Sequence, residues 1–140
     1  MTASRSAGFL RPLLTRPEAA CALRNQRNGR LLAQRLLPAF DSRSRRTGLL
    51  DRTAIGDEAM IIAPSNAVHT WFMRFAIDIA FVGKNGKVLK TCEAVRPWRI
   101  AAAWGGYAVI ELRAGALTAS RTIVGDVLAA VPVGSFRSGE

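Results

Sequence analysis

The chain has 140 residues, with 20 Lys and Arg against 10 Asp and Glu and a formal net charge of +10. That length suits one domain, and an apolar content of 49% excludes a wholly disordered chain. No apolar run approaches the ~18 residues of a membrane helix, and one His with two Cys does not supply a four-ligand zinc site.

The charge is uneven. Residues 1–52 carry 11 Arg, no Lys and 3 acids, a net of +8. Residues 53–140 carry 9 cations and 7 acids, a net of +2. Residues 1–28 therefore read as a basic, disordered leader, residues 29–133 as a single globular β domain, and residues 134–140 as a loose tail. Arg5, Arg11 and Arg16 give the start a transit-peptide composition, but Pro12 and Pro17 interrupt the helix such a peptide needs. Two Cys far apart give no disulfide framework, so reduced thiols and a cytoplasmic location are expected.

Thr15-Arg16-Pro17-Glu18 has the form of a capping box and predicts a short helix over Ala19–Leu23. Asn28-Gly29 is a turn dipeptide, after which Leu31–Ala33 reads as a first strand and Pro38 as a break. Asp41 or Ser42 caps a predicted helix over Arg43–Leu50. Ala59–Ala63 reads as a buried strand stopped by Pro64. Val68–Phe75 is the densest aromatic stretch. Alternation there sets Trp71, Met73 and Phe75 against Thr70, Phe72 and Arg74.

Ile77–Val82 is the clearest strand, with Ile77, Ile79 and Phe81 on one face and Asp78, Ala80 and Val82 on the other. Asn85-Gly86 marks a hairpin returning through Lys87–Glu93. A two-residue loop there sets Asp78 opposite Glu93; a three-residue loop sets it opposite Cys92. Tyr107–Leu112 alternates again. Gly115–Arg121 suits a turn or two of helix, and Val127–Val131 is a last strand. Short strands with turn signals every 8–12 residues predict a mainly β, antiparallel sandwich or barrel-like domain with one or two short helices.

The stretch Asn66–Phe81, with its Thr70-Trp71-Phe72-Met73-Arg74 core and Ile77-Asp78 step, resembles the signature of the domain of unknown function 192 family. Gly86-Lys87-Val88, Pro97-Trp98, Val109–Gly115, Gly125-Asp126 and an early Gly48-Leu49-Leu50 follow in the family's order. Leu50, Ala76 and Arg113 depart from its usual residues. The resemblance covers roughly residues 29–131 and implies a compact, mainly β, sandwich-like domain with no assigned activity.

His69 is the one His, so any histidine proton transfer must use it. No Gly-x-Ser-x-Gly elbow, His-Glu-x-x-His or phosphate-cradling loop accompanies it. A loop-tethering role outweighs catalysis, and no metal site or cofactor is indicated. Asp78 lies within an apolar strand, where a buried carboxylate needs a cation or several donors. A structural salt bridge with Arg74 is the leading account. Trp98 between Arg96 and Arg99 suits ligand stacking or plain capping of the core edge.

The leading functional reading is a small binding or accessory module. Its anion-recognising cleft is formed by His69, Thr70, Arg74, Asp78 and Trp98. Its partner is a small anionic ligand, with no membrane role. The alternatives are nucleic-acid association through the Arg-rich residues 1–52, and a hydrolase using His69 with Asp78.

Overall fold

A computed structural model describes residues 8–15, 20–40, 56–71 and 73–133. The predicted helix over Arg43–Leu50 lies outside these residues. The chain forms α1 (Arg11–Thr15), β1 (Cys21–Asn25), β2 (Leu31–Ala33), β3 (Arg35–Ala39), β4 (Glu58–Ile62), β5 (Ala67–His69) and β6 (Ile77–Val82). It continues through β7 (Val88–Val95), β8 (Ile100–Ala102), β9 (Ala108–Arg113), α2 (Ala116–Ala119) and β10 (Leu128–Pro132).

The central layer is a five-stranded sheet in the order β3-β4-β9-β6-β7. Its pairs are antiparallel except β3–β4, which is parallel. A three-stranded sheet, β10-β1-β2, packs on one face, and a two-stranded ribbon, β5-β8, lies over the other. The described residues are thus mainly β and layered, with no closed barrel.

Alternation along the central strands sorts side chains into two cores. Ala80 and Val82 of β6 join Ala108, Ile110 and Leu112 of β9 in a first cluster, closed by Leu23, Leu32, Leu117 and Leu128. Ile77, Ile79 and Phe81 join Val109 and Ile62 in a second, covered by Met73, Ala103 and the inward ribbon residues Val68 and Ala101. Strands β6 and β9 are hydrogen-bonded on both sides and are the most buried strands among the described residues. Burying both faces requires an apolar residue at nearly every position, as Ile77–Val82 supplies.

Two expectations at the start of the chain are corrected. The helix over Ala19–Leu23 is instead the strand β1, whose residues pair with β10 along their full length. Residues 8–15 and 20–28 of the predicted leader are structured. Phe9, Leu10 and Leu13 are buried in the first cluster, and residues 25–28 are tied to the body by a polar network. Asp126 accepts from Arg27 Nε at 2.6 Å, Asn25 Nδ2 at 2.8 Å and the Ile123 amide at 2.9 Å. The Arg27 hydrogen bond, above all, holds the Asp126 carboxyl well below the usual carboxylate range. Pro38 does not break the chain, because β3 is an edge strand where a missing N–H is tolerated.

The β6–β7 hairpin closes through residues 83–87, with the Gly83 amide donating to Lys87 and the Gly86 amide to Gly83. Gly86 has φ 86°, and a Cβ there would sit 2.4 Å from the Leu128 carbonyl and 2.9 Å from Phe9. Only glycine fits where the hairpin tip meets both β10 and the N-terminal segment.

Candidate functional site

The ribbon pairs Ala67 with Ala102, Val68 with Ala101 and His69 with Ile100. Val68 and Ala101 point into the second cluster, so His69 and Ile100 point outward, and Ile100 is 68% exposed. Lys90 Nζ donates to the Ala102 carbonyl at 2.8 Å and fixes one end of the ribbon to β7. Beyond His69 the predicted strand alternation fails. The chain turns at Thr70, with the Met73 amide bonded to the Thr70 carbonyl.

Thr70 is buried and acts as a staple. Its amide donates to the Arg99 carbonyl and its carbonyl accepts from the Trp98 amide. Its hydroxyl donates to the Arg96 carbonyl at 2.7 Å and accepts from the Arg99 amide at 2.8 Å. These contacts bind residues 96–99 to the end of β5. They also hold Trp98 at φ 66°, a left-handed conformation that costs an L-residue roughly 1–2 kcal/mol. The strained residue presents its indole to solvent, 57% exposed. On the other side of Thr70, the Trp71 and His69 rings meet with centroids 5.0 Å apart. Arg74, Arg96 and Arg99 are exposed around this surface. Trp104 projects fully into solvent from the turn at the far end of β8.

The structure therefore brings His69, Thr70 and Trp98 together, with Arg74 one residue past the turn that Thr70 closes. It does not bring Asp78 to them. Asp78 is on the first-cluster face of β6, fully buried, with the sheet between it and the ribbon. Its predicted guanidinium partner is replaced by backbone amides. Oδ1 accepts from Ala94 at 2.8 Å, and Oδ2 from Gly115 at 3.1 Å and Leu117 at 3.0 Å. A carboxylate that accepts several N–H groups needs no cation. The register of the two-residue loop holds at Ile79↔Cys92, Ala80↔Thr91 and Phe81↔Lys90, but β6–β7 bulges between Ile77↔Val95 and Ile79↔Cys92, so the bulge takes up the expected pairing of Asp78 with Glu93. The bulge turns the Ala94 amide, at φ 49°, toward Asp78. With both oxygens so engaged and the sheet intervening, Asp78 is not placed as an orienting partner for His69.

One residue that sequence reasoning passed over stands out. Glu111 lies on the second-cluster face of β9, between Met60 of β4 and Ile79 of β6, and is 3% exposed. Its Oε1 is buried without a hydrogen-bond partner. Burial pushes the carboxyl up to about 7. Its alternation with Val109 was visible in the sequence, but not that both faces of the sheet are covered. Among the described residues, no group of three or more His, Cys, Asp or Glu could hold a metal ion. None of their helices is long and apolar enough to cross a membrane.

Residues 24–130 match the family DUF192, described as an uncharacterized ACR. No curated protein matches the chain. Among solved structures, the fold is similar to a protein of unknown function from Novosphingobium aromaticivorans, at 24% identity and a TM-score of 0.67, over 78% of this chain and 82% of that one. It is also similar to a putative transcription regulator from Sinorhizobium meliloti, at 21% identity and a TM-score of 0.70, over 80% of this chain and 92% of that one.

Proposed function

The chain belongs to the DUF192 family, and from the surface this fold builds on its ribbon we propose a binding module without chemistry of its own. The module takes an anionic ligand that carries a planar ring. Trp98, Trp71 and His69 supply stacking faces, while Arg74, Arg96 and Arg99 supply charge and forked donors for a carboxylate or phosphate. Thr70 positions this surface and Asp78 serves the fold beneath it. The observation that carries the reading is Trp98. A backbone strain held by a buried hydroxyl serves to set an indole in water between two arginines. Strain of this kind persists only where surrounding contacts over-determine it, and it gathers at ligand clamps.

Adenosine monophosphate, adenosine and ribose 5-phosphate test the combination, with tryptophan emission as readout. The nucleotide saturably quenches emission, more strongly than either half, and salt weakens it. Trp98→Ala lowers its affinity at least tenfold, while Trp104→Ala leaves it unchanged. Equal affinity in Trp98→Ala, or no quenching by the nucleotide, sinks the proposal.

A second reading, nucleic-acid association, is supported by the net +8 of residues 1–52. The Sinorhizobium meliloti protein is described as a putative transcription regulator. Deleting residues 1–46 would remove β1, β2 and β3, so the cleaner variant replaces Arg43, Arg45 and Arg46 by Ala. Oligonucleotide binding then loses affinity and a shallower salt slope follows. An unchanged slope excludes these arginines.

A further inference from the structure

Glu111 is unlike every other buried polar group of the central sheet, because its Oε1 has no donor. An unsatisfied buried acceptor bears its desolvation cost uncompensated, and a charged one bears more. We infer that Glu111 is a proton-controlled latch for the ribbon: protonated, it lets the layer over its face pack down, and ionised, it drives that layer off so that water reaches the carboxylate.

The two faces of β9 make the response local. An ionised Glu111 must gain water, and the least costly route decides what moves. Strand β9 is paired on both sides, with β4 and with β6. Opening it breaks the sheet and the first cluster together. The ribbon is only three residues long on each strand. A two-stranded ribbon is marginal without packing beneath it. It lies over the same cluster that flanks Glu111, through Val68, Ala101 and Ala103, with Met73 and Phe75 beside it. Lifting these opens the face of the sheet on which Glu111 lies and leaves the first cluster intact.

The charged neighbours do not neutralise it. Arg113 shares its face of β9, two residues on. On β4, Glu58 lies at the end of the strand, and on β3 Arg35 pairs with it. On β6 the alternation turns Asp78 away. On β7, Lys90 and Cys92 share the side, opposite Phe81 and Ile79. In the covering layer, Arg74 is exposed and His69 points outward. None of them donates to Glu111 Oε1. The latch stands whether or not the aromatic surface takes a ligand.

Amide hydrogen exchange of the whole chain between pH 6 and 8 tests this, after correction for the intrinsic rate. The ribbon amides of Thr70, Trp98 and Ala103 report the latch, and those of Gln26 and Leu128 report the far side of the sheet. Protection of the ribbon amides falls roughly tenfold across this range while the far side holds. Glu111→Gln removes the dependence and keeps every other titratable group, His69 included. Loss of protection spread equally over both sets, or an unchanged profile in Glu111→Gln, overturns the latch. Should that variant fail to fold, the carboxyl carbon shift of Glu111 in the unaltered protein decides. A midpoint near 7 supports the latch, and one below 5 overturns it.

Discussion

Two buried carboxylates sit on adjacent strands of one sheet, and their fates differ. Asp78 faces the first cluster and is surrounded by amides that a bulge and a helix start turn toward it. Glu111 faces the second cluster, between Met60 and Ile79, and meets apolar side chains. The depth is similar; the backbone around each decides. Irregular backbone, a bulge or a helix terminus, exposes N–H groups that a carboxylate can take. Regular strand has spent its N–H groups on neighbouring strands and offers nothing. One face of the sheet is accordingly a finished core, and the other is a core with a reserve of free energy in it.

The largest effect comes from breaking the finished face. Asp78→Ala leaves three amides, the buried one of Leu117 among them, without their acceptor, and it also removes the N-terminal clamp on α2. Each lost bond to a charged acceptor is worth ~1.5–3 kcal/mol, though such losses do not simply add. The variant loses about 4 kcal/mol in urea denaturation, enough to unfold a marginal domain. A loss below about 1 kcal/mol would mean that water, not Asp78, satisfies those amides in solution.

The opposite substitution on the other face stabilises. The ordinary Glu value is 4.5 and burial raises it to about 7. A raised folded value means that the native state holds its proton more tightly. The stability linked to it is complete below pH 4.5, declines as pH rises, and is gone above 7. The full span is about 3 kcal/mol, and the ribbon's lifting reduces it to whatever that opening costs. Glu111→Met, similar in volume and apolar, should gain up to that amount at pH 8 and little at pH 4. Equal gains at the two pH values would show that the carboxyl is already hydrated.

The same contrast explains what could be read in advance. Ile77–Val82 and Tyr107–Leu112 were legible because period-two alternation is local, and the two clusters divide these strands as the alternation did. Strand β1 was not, since Cys21–Asn25 is buried at four of five positions and shows no alternation. Thr15 and Glu18 also imitated a helix start, whereas the Thr15 hydroxyl bonds back to Arg11 at the end of α1. The turn at Thr70 was hidden for a different reason. No Gly or Pro marks it, and it exists because Thr70 meets carbonyls 26 and 29 residues away. Asp78 was recognised as buried, but its partners depend on a bulge and on α2, neither of which is a local pattern. His69 was named for the aromatic stretch beside it and Trp98 for the arginines on either side of it, and it is the Thr70 staple that makes them neighbours.

The smallest effect separates presentation from packing at the ribbon. At φ 66°, Trp98 bears a backbone cost that glycine does not. Trp98→Gly relieves that cost, but it adds freedom to the unfolded chain and gives up the indole's partial burial. The relief outweighs these terms only narrowly, because more than half of the residue is already in water. Stability should rise by less than about 1 kcal/mol, while nucleotide binding at the ribbon is lost. A gain in stability with a loss in binding is what a strained, solvent-facing ligand clamp must show. A fall of more than about 1 kcal/mol would instead make Trp98 a lid on the second cluster. The arginines on either side would then flank a structural residue, and among the described residues the ribbon-covered face of the sheet would keep Glu111 as its unsatisfied group.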